Sequence, residues 1–178
     1  MHFRPPEVWL ITGIPGVGKS TVARDLAGRL ERAAHLEGDA LGEQVVSGRV
    51  LPGEEPRDES DRQVELVIRN QCLLARSYAE AGFTPVMDYV VSTRHLLDAY
   101  RHYLMGAALH LVVLAPGASV ALERDGQRTK TAASDWTHLE PRFRKELGEL
   151  GLWLDTADLS VHETVDQVLA RQAEALLR

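Results

Sequence analysis

The sequence predicts an α/β protein of three layers, a parallel sheet covered by helices on both faces, and three observations carry that prediction. Short β-rich runs alternate along the chain with stretches of helical periodicity. The glycine-rich segment GIPGVGKS, residues 13–20, lies between the first such run and the first helical stretch. Asp39, Asp88 and Thr156 lie at the ends of other β-rich runs, so right-handed crossovers would gather them with Gly13 and Pro116 on one edge of the sheet, where ligands bind.

Residues 7–12 (EVWLIT) read as the first strand, and Pro5-Pro6 stops its pairing from extending backwards. From Gly18 to about Arg32, Val22, Leu26 and Leu30 recur at helical spacing. AAHLEG (33–38) reads as a second strand ending at Asp39. Residues 47–60 are rich in Pro, Gly and charge and predict an exposed loop. A long helix follows over about 60–81: Ser60 and Gln63 have the spacing of a capping box, Val64, Val67, Ile68, Gln71 and Leu74 share a face, and Gly82 follows the end. FTPVMDYVV (83–91) and AALHLVVLA (107–115) are β-rich, with a helix between them at about 92–104. A helix is expected after Pro116, then a polar, non-periodic loop over 126–137. A helix at about 139–149, a strand at 152–156 and a final helix to about 177, boxed by Ser160 and Glu163, complete the order.

The composition suits such a fold. The chain has 178 residues, 44% of them hydrophobic and 26% charged, with a net charge of −6. That balance lacks the basic stripe of a nucleic-acid binder. No run approaches the ~18 apolar residues of a membrane span, and the first residues have no apolar signal core. Cys72 is the only cysteine, so no internal disulfide forms; it reads as a small core residue. A cytoplasmic protein is expected. No His/Cys cluster has metal-ligand spacing, and His35 and His110 read as strand residues.

The loop Gly13, Ile14, Pro15, Gly16, Val17, Gly18, Lys19, Ser20 matches G-x-x-x-x-G-K-[ST] in full, with a strand before it and a helix, opening through Thr21, after it. Glycines let the backbone wrap so that several N–H groups point at one phosphate, and the helix N-terminus adds attraction. Lys19 would set a positive charge at the β- and γ-phosphates, and the Ser20 hydroxyl can ligate Mg²⁺.

With this loop the chain resembles the P-loop small-molecule kinases, among them gluconate and shikimate kinases, adenylate kinase and the chloramphenicol phosphotransferases. The resemblance is carried by ITGIPGVGKSTVARDL, HLEGDAL, VMDYV, ERDGQRTK and LDTADLSVHETVDQVL, and spans nearly the whole chain. It implies one kinase domain over 1–178, a five-stranded parallel core in order 2-3-1-4-5, a small mobile lid at about 124–137, and ATP with Mg²⁺. In such kinases an acid at the position of Asp39 faces the acceptor hydroxyl, as general base or through Mg²⁺-bound water; Asp39 is also well suited to cap a helix. Asp88, after Val86-Met87, stands where an acid holds Mg²⁺ in related ATPases, or else serves as a strand-end turn carboxylate. Arg124 and Arg128, helped by Lys130, fall in the lid segment, where they would spread transition-state charge and Arg124 would also contact the nucleotide; the alternative is a solvated basic surface.

Residues 154–160 resemble the segment that contacts adenine, although Asp155 and Ser160 also serve simply to turn and cap the chain. Arg49, Arg94, Arg101, Tyr89 and His95 surround the segments that would bind an acceptor, and Trp136 lies in the lid. Gluconate and shikimate kinases carry further acceptor signatures that are absent here, so the acceptor is left open: a sugar acid, another metabolite or an antibiotic. The expected assembly is a monomer or homodimer. The competing reading is a nucleotide-binding switch that hydrolyses slowly and has no small-molecule acceptor.

Overall fold

The computed structural model describes residues 5–126 and 139–178, with the backbone alone for 124–126. The first strand, β1 (Glu7–Thr12), is buried from Val8 onward, because a central strand of a parallel sheet meets helices on both faces. The glycine loop follows and opens α1 (Lys19–Arg29), which packs Val22, Ala23 and Leu26 inward. Then come β2 (Ala33–Glu37), α2 (Gly38–Glu43), α3 (Arg57–Glu80), β3 (Thr84–Asp88) and α4 (Arg94–Tyr103). The second half contributes β4 (Ala108–Leu114), α5 (Ala118–Gly126), α6 (Leu139–Leu147), β5 (Leu152–Leu154), α7 (Val161–Ala170) and α8 (Gln172–Ala175).

All strand pairs are parallel, and the sheet order is β2-β3-β1-β4-β5, as the resemblance implies. Helices α1 and α7 pack together on one face and α3 and α4 on the other. Trp9, Leu10, Ile11, Met87 and Leu111 are essentially inaccessible at the centre, and Cys72 lies in the same core, its thiol pushed up to about 12 by burial.

Several boundaries differ from the sequence reading, each for a physical reason. Helix α3 starts at Arg57, not at Ser60, so Ser60 and Gln63 are no capping box. Ser60 is buried; its hydroxyl donates to the Leu51 carbonyl and accepts from the Gly53 amide, both at 2.9 Å. Gln63 donates to the Gly48 carbonyl at 2.8 Å and accepts from the Val50 amide at 2.9 Å. Both side chains tie the preceding loop to the helix flank. Leu74 is 40% exposed and falls off the buried face that Val67, Ile68 and Gln71 share. The final helix breaks at Arg171, and Leu177 N–H bonds the Leu109 carbonyl at 2.9 Å, which draws the C-terminus onto β4. The Ser160–Glu163 box is present in full.

Candidate active site

The glycine loop owes its path to backbone angles that side chains resist. Gly13, Gly16 and Gly18 have φ of 146°, 88° and 94°, and a Cβ on Gly13 would stand 2.5 Å from the Leu114 carbonyl oxygen. Lys19 is 8% exposed and its ammonium donates to the Ile14 carbonyl at 3.2 Å, so the charge sits over the loop itself. Gly18 precedes the first turn of α1, which contains no acid; Thr21 in that turn is exposed, Pro15 is half-buried, and Val17 is buried in the core.

Strand register decides what stands beside the loop. In β3, Asp88 lies level with Ile11 of β1 on one side and Glu37 of β2 on the other. Two residues beyond Ile11 is Gly13, and two beyond Glu37 is Asp39. Asp88 therefore stands between the phosphate loop and Asp39, all at one strand-end edge. Asp88 is 2% exposed, and it is a strand residue, not a turn carboxylate. The Ser20 hydroxyl donates to its Oδ2 at 2.7 Å, and its Oδ1 lies 2.6 Å from His35 Nε2. Beneath it, the buried Gln71 amide bonds the carbonyls of Leu36 and Asp88 at 2.6 and 3.1 Å and accepts from the Tyr100 hydroxyl. A buried amide is tolerated there because its hydrogen bonds replace those lost from water.

Asp39 is the second residue of α2; Glu37 holds the N-cap position and no side chain caps this helix, so Asp39 is not the N-cap. It is open to solvent at the rim. Even so, the surrounding protein displaces enough water to raise its carboxyl from its ordinary value; Lys19 opposes this, Asp88 and Glu43 add to it, and Arg49 also opposes it. Gly38, just before it, lies against Tyr89: a Cβ there would meet the ring at 2.5 Å. Tyr89 is buried and its hydroxyl is held protonated by burial and by Asp39, with Arg49 opposing. Asp39, Arg49 and Tyr89 line one shallow cleft that opens to solvent.

The oxygen pair of Ser20 and Asp88 suits Mg²⁺, which takes hard oxygen ligands and commonly keeps several waters beside one or two protein groups and substrate phosphates. Among the described residues there is no group of three or more His, Cys, Asp and Glu that could hold a metal ion.

Of the other residues singled out from the sequence, Arg49 and Tyr89 join Asp39. Arg94 and His95 are exposed on the first turn of α4, and Arg101 bonds the Arg178 carbonyl; none of the three lines this cleft. Arg128, Lys130, Trp136 and nearly all of the lid lie outside the described residues; for Arg124 the backbone alone is described, within α5. Asp155 turns residues 155–157 by accepting from the Ala157 amide at 3.0 Å. Sequence reasoning passed over His35: alternation placed it in a strand, and only its register opposite β3 reveals the contact with Asp88.

A parallel sheet in this order, with a phosphate loop after its central strand, is the fold of P-loop small-molecule kinases. The sequence matches the family model described as "AAA domain" over residues 8–145, and the chain belongs to that family. Similar solved structures include a gluconokinase from Sinorhizobium meliloti (24% identity, covering 96% of this chain and 94% of that one, TM-score 0.69). A sugar kinase from Janibacter sp. HTCC2649 is also similar (20%, 96% and 96%, 0.68). A third is the tunicamycin resistance protein of Deinococcus radiodurans (23%, 98% and 99%, 0.66). At these identities the likeness is one of fold. No curated protein matches the sequence significantly. No helix among the described residues is long and apolar enough to cross a membrane.

Proposed function

We propose that the chain is an ATP-dependent phosphotransferase that moves the γ-phosphoryl group to a hydroxyl of a small molecule. The observation that carries this reading is the register that sets Asp88 between the glycine loop and Asp39. A phosphate held by the loop and an alcohol held beside Asp39 would meet at one edge.

In this reading the loop amides of residues 13–20 and the Lys19 ammonium hold the phosphates, and Ser20 and Asp88 hold Mg²⁺. A metal held by these two oxygen groups would supply neutralisation of phosphate charge. Asp39 takes the proton of the acceptor hydroxyl as that oxygen bonds to the γ-phosphorus; the bond from phosphorus to the β–γ bridging oxygen breaks, and ADP leaves. Arg124 and Arg128 would spread the developing charge from a lid over about 124–137. The raised carboxyl of Asp39 suits a base, because a weaker acid has a stronger conjugate base. We take residues 1–178 as one kinase domain, active in the cytoplasm as a monomer or homodimer, with neither nucleic acid nor membrane as partner.

The test is ³¹P NMR of the full chain with ATP, Mg²⁺ and pooled sugars, sugar acids, nucleosides and aromatic alcohols. A new phosphomonoester formed in step with ADP is expected. ADP release indifferent to every acceptor would return the chain to a slow nucleotide switch.

A further inference from the structure

The cleft beside Asp39 is walled by the aliphatic side chains of Val45, Val50, Pro52, Val64 and Val67. Gln63 also lines it, but its amide is already engaged, by Gly48, Glu59 and Val50. Three polar groups remain that make no hydrogen bond to a described residue: the Asp39 carboxyl, the Arg49 guanidinium and the Tyr89 hydroxyl.

We propose that the acceptor is a hydroxy acid with an apolar body, and not a polyol; this rests on the phosphotransfer reading above. One hydroxyl faces Asp39. One carboxylate meets Arg49, whose planar fork matches its two oxygens, with the protonated Tyr89 hydroxyl as a further donor. The carbon skeleton lies on the valines. An open-chain sugar acid would instead set hydroxyls against aliphatic groups, and each one that loses water there without gaining a partner weakens binding by about tenfold. Gly38 lets the Tyr89 ring pack directly on the backbone at the base of the cleft, since any side chain there would strike it.

The test measures binding separately from chemistry. The full chain, with Mg²⁺ and a non-hydrolysable ATP analogue, is titrated calorimetrically with 4-(hydroxymethyl)cyclohexanecarboxylate, cyclohexylmethanol and gluconate. The ring acid should bind at least about tenfold more tightly than either of the others. Arg49→Gln should remove its advantage over cyclohexylmethanol, and Val64→Asn should narrow its advantage over gluconate, while unchanged affinity for the nucleotide analogue shows that both variants are folded. Gluconate binding as tightly as the ring acid, or no binding by the ring acid, overturns the proposal. A separate arm supplies ATP and follows the ring acid by ³¹P NMR. Selective binding without transfer would overturn the phosphotransfer reading and leave the selectivity of the cleft standing.

Discussion

The phosphate loop and the cleft beside Asp39 share one edge of one sheet but are built in different ways. The loop is eight consecutive residues whose shape follows from three glycines at positive φ and which, in the function proposed above, would hold phosphate chiefly through backbone amides. The cleft is assembled from side chains between Gly38 and Tyr89, contributed by α2, the loop before α3, α3 itself and the residue after β3. A site made of backbone tolerates most side-chain changes outside its fixed positions, whereas a site made of side chains can be retuned one residue at a time. Asp88, bonded to Ser20 on α1 and to His35 on β2, joins the two.

Mutations should separate the two regions. The largest effect is expected from Asp39→Asn, which should lower phosphoryl transfer by roughly 10²–10⁴-fold at saturating ATP and Mg²⁺ while leaving nucleotide affinity unchanged. Its stability effect has a defined sign. Because the folded carboxyl is raised above its unfolded value, the native state holds the proton longer, and stability falls as pH rises between the two values. The Asn variant escapes that loss, so it should melt no lower than the parent at neutral pH and lose its relative advantage in acid. The rate of the parent should fall on the acid side at a higher pH than an unperturbed aspartate would give, since the base must be ionised. A near-normal transfer rate in Asp39→Asn would remove the acid from the chemistry.

Lys19→Ala should cost about 10²–10³-fold in turnover and weaken ATP binding, yet leave binding of the ring acid in the cleft unchanged. Equal loss of both affinities would show that loop and cleft do not act separately. His35→Leu tests the link between them. It should weaken Mg²⁺-dependent nucleotide binding by about 10–100-fold, read by Mg²⁺ titration, with partial recovery in His35→Gln, whose amide can still donate to Asp88. No change in the Mg²⁺ requirement would reduce His35 to a packing residue.

The smallest effect on nucleotide chemistry is expected from Gly38→Ala. The new methyl group would stand 2.5 and 2.9 Å from two ring carbons of Tyr89 and 3.0 Å from the Asp88 carbonyl oxygen, so the buried ring must move. Overpacking of this kind destabilises by about 1–3 kcal/mol, measurable by denaturant unfolding. Acceptor binding should fail while ATP affinity holds; a variant with full stability and normal acceptor binding would show that the contact between Gly38 and Tyr89 is unimportant.

The loop was legible because its information is local: a glycine can be read as a need for positive φ, and Lys19-Ser20 follow directly. The strands were legible to within a residue or three, since apolar runs in a parallel sheet are buried on both faces. The misreadings of Ser60, Gln63 and Gln71 concern side chains whose partners lie away from where local rules place them. Ser60 and Gln63 have the spacing of a helix cap, and a cap is what sequence rules infer; their oxygen and nitrogen atoms instead bond a loop that begins at Gly48. Gln71 read as one more position on a helical stripe, and its amide turns out to hold two strand ends in place.

The sequence by itself determined the alternation of strands and helices and the phosphate loop, because both follow from short-range periodicity and backbone preference. It also named Asp39, Asp88, Arg49 and Tyr89, without saying which of them meet. Tertiary structure alone decided that Asp88 stands between loop and acid, that His35 touches it, and that Arg49 joins the cleft while Arg94 and Arg101 do not. Such pairings depend on strand register and on the course of residues 44–56 over α3, and these are set by the packing of segments far apart in the chain, which a one-dimensional pattern does not encode.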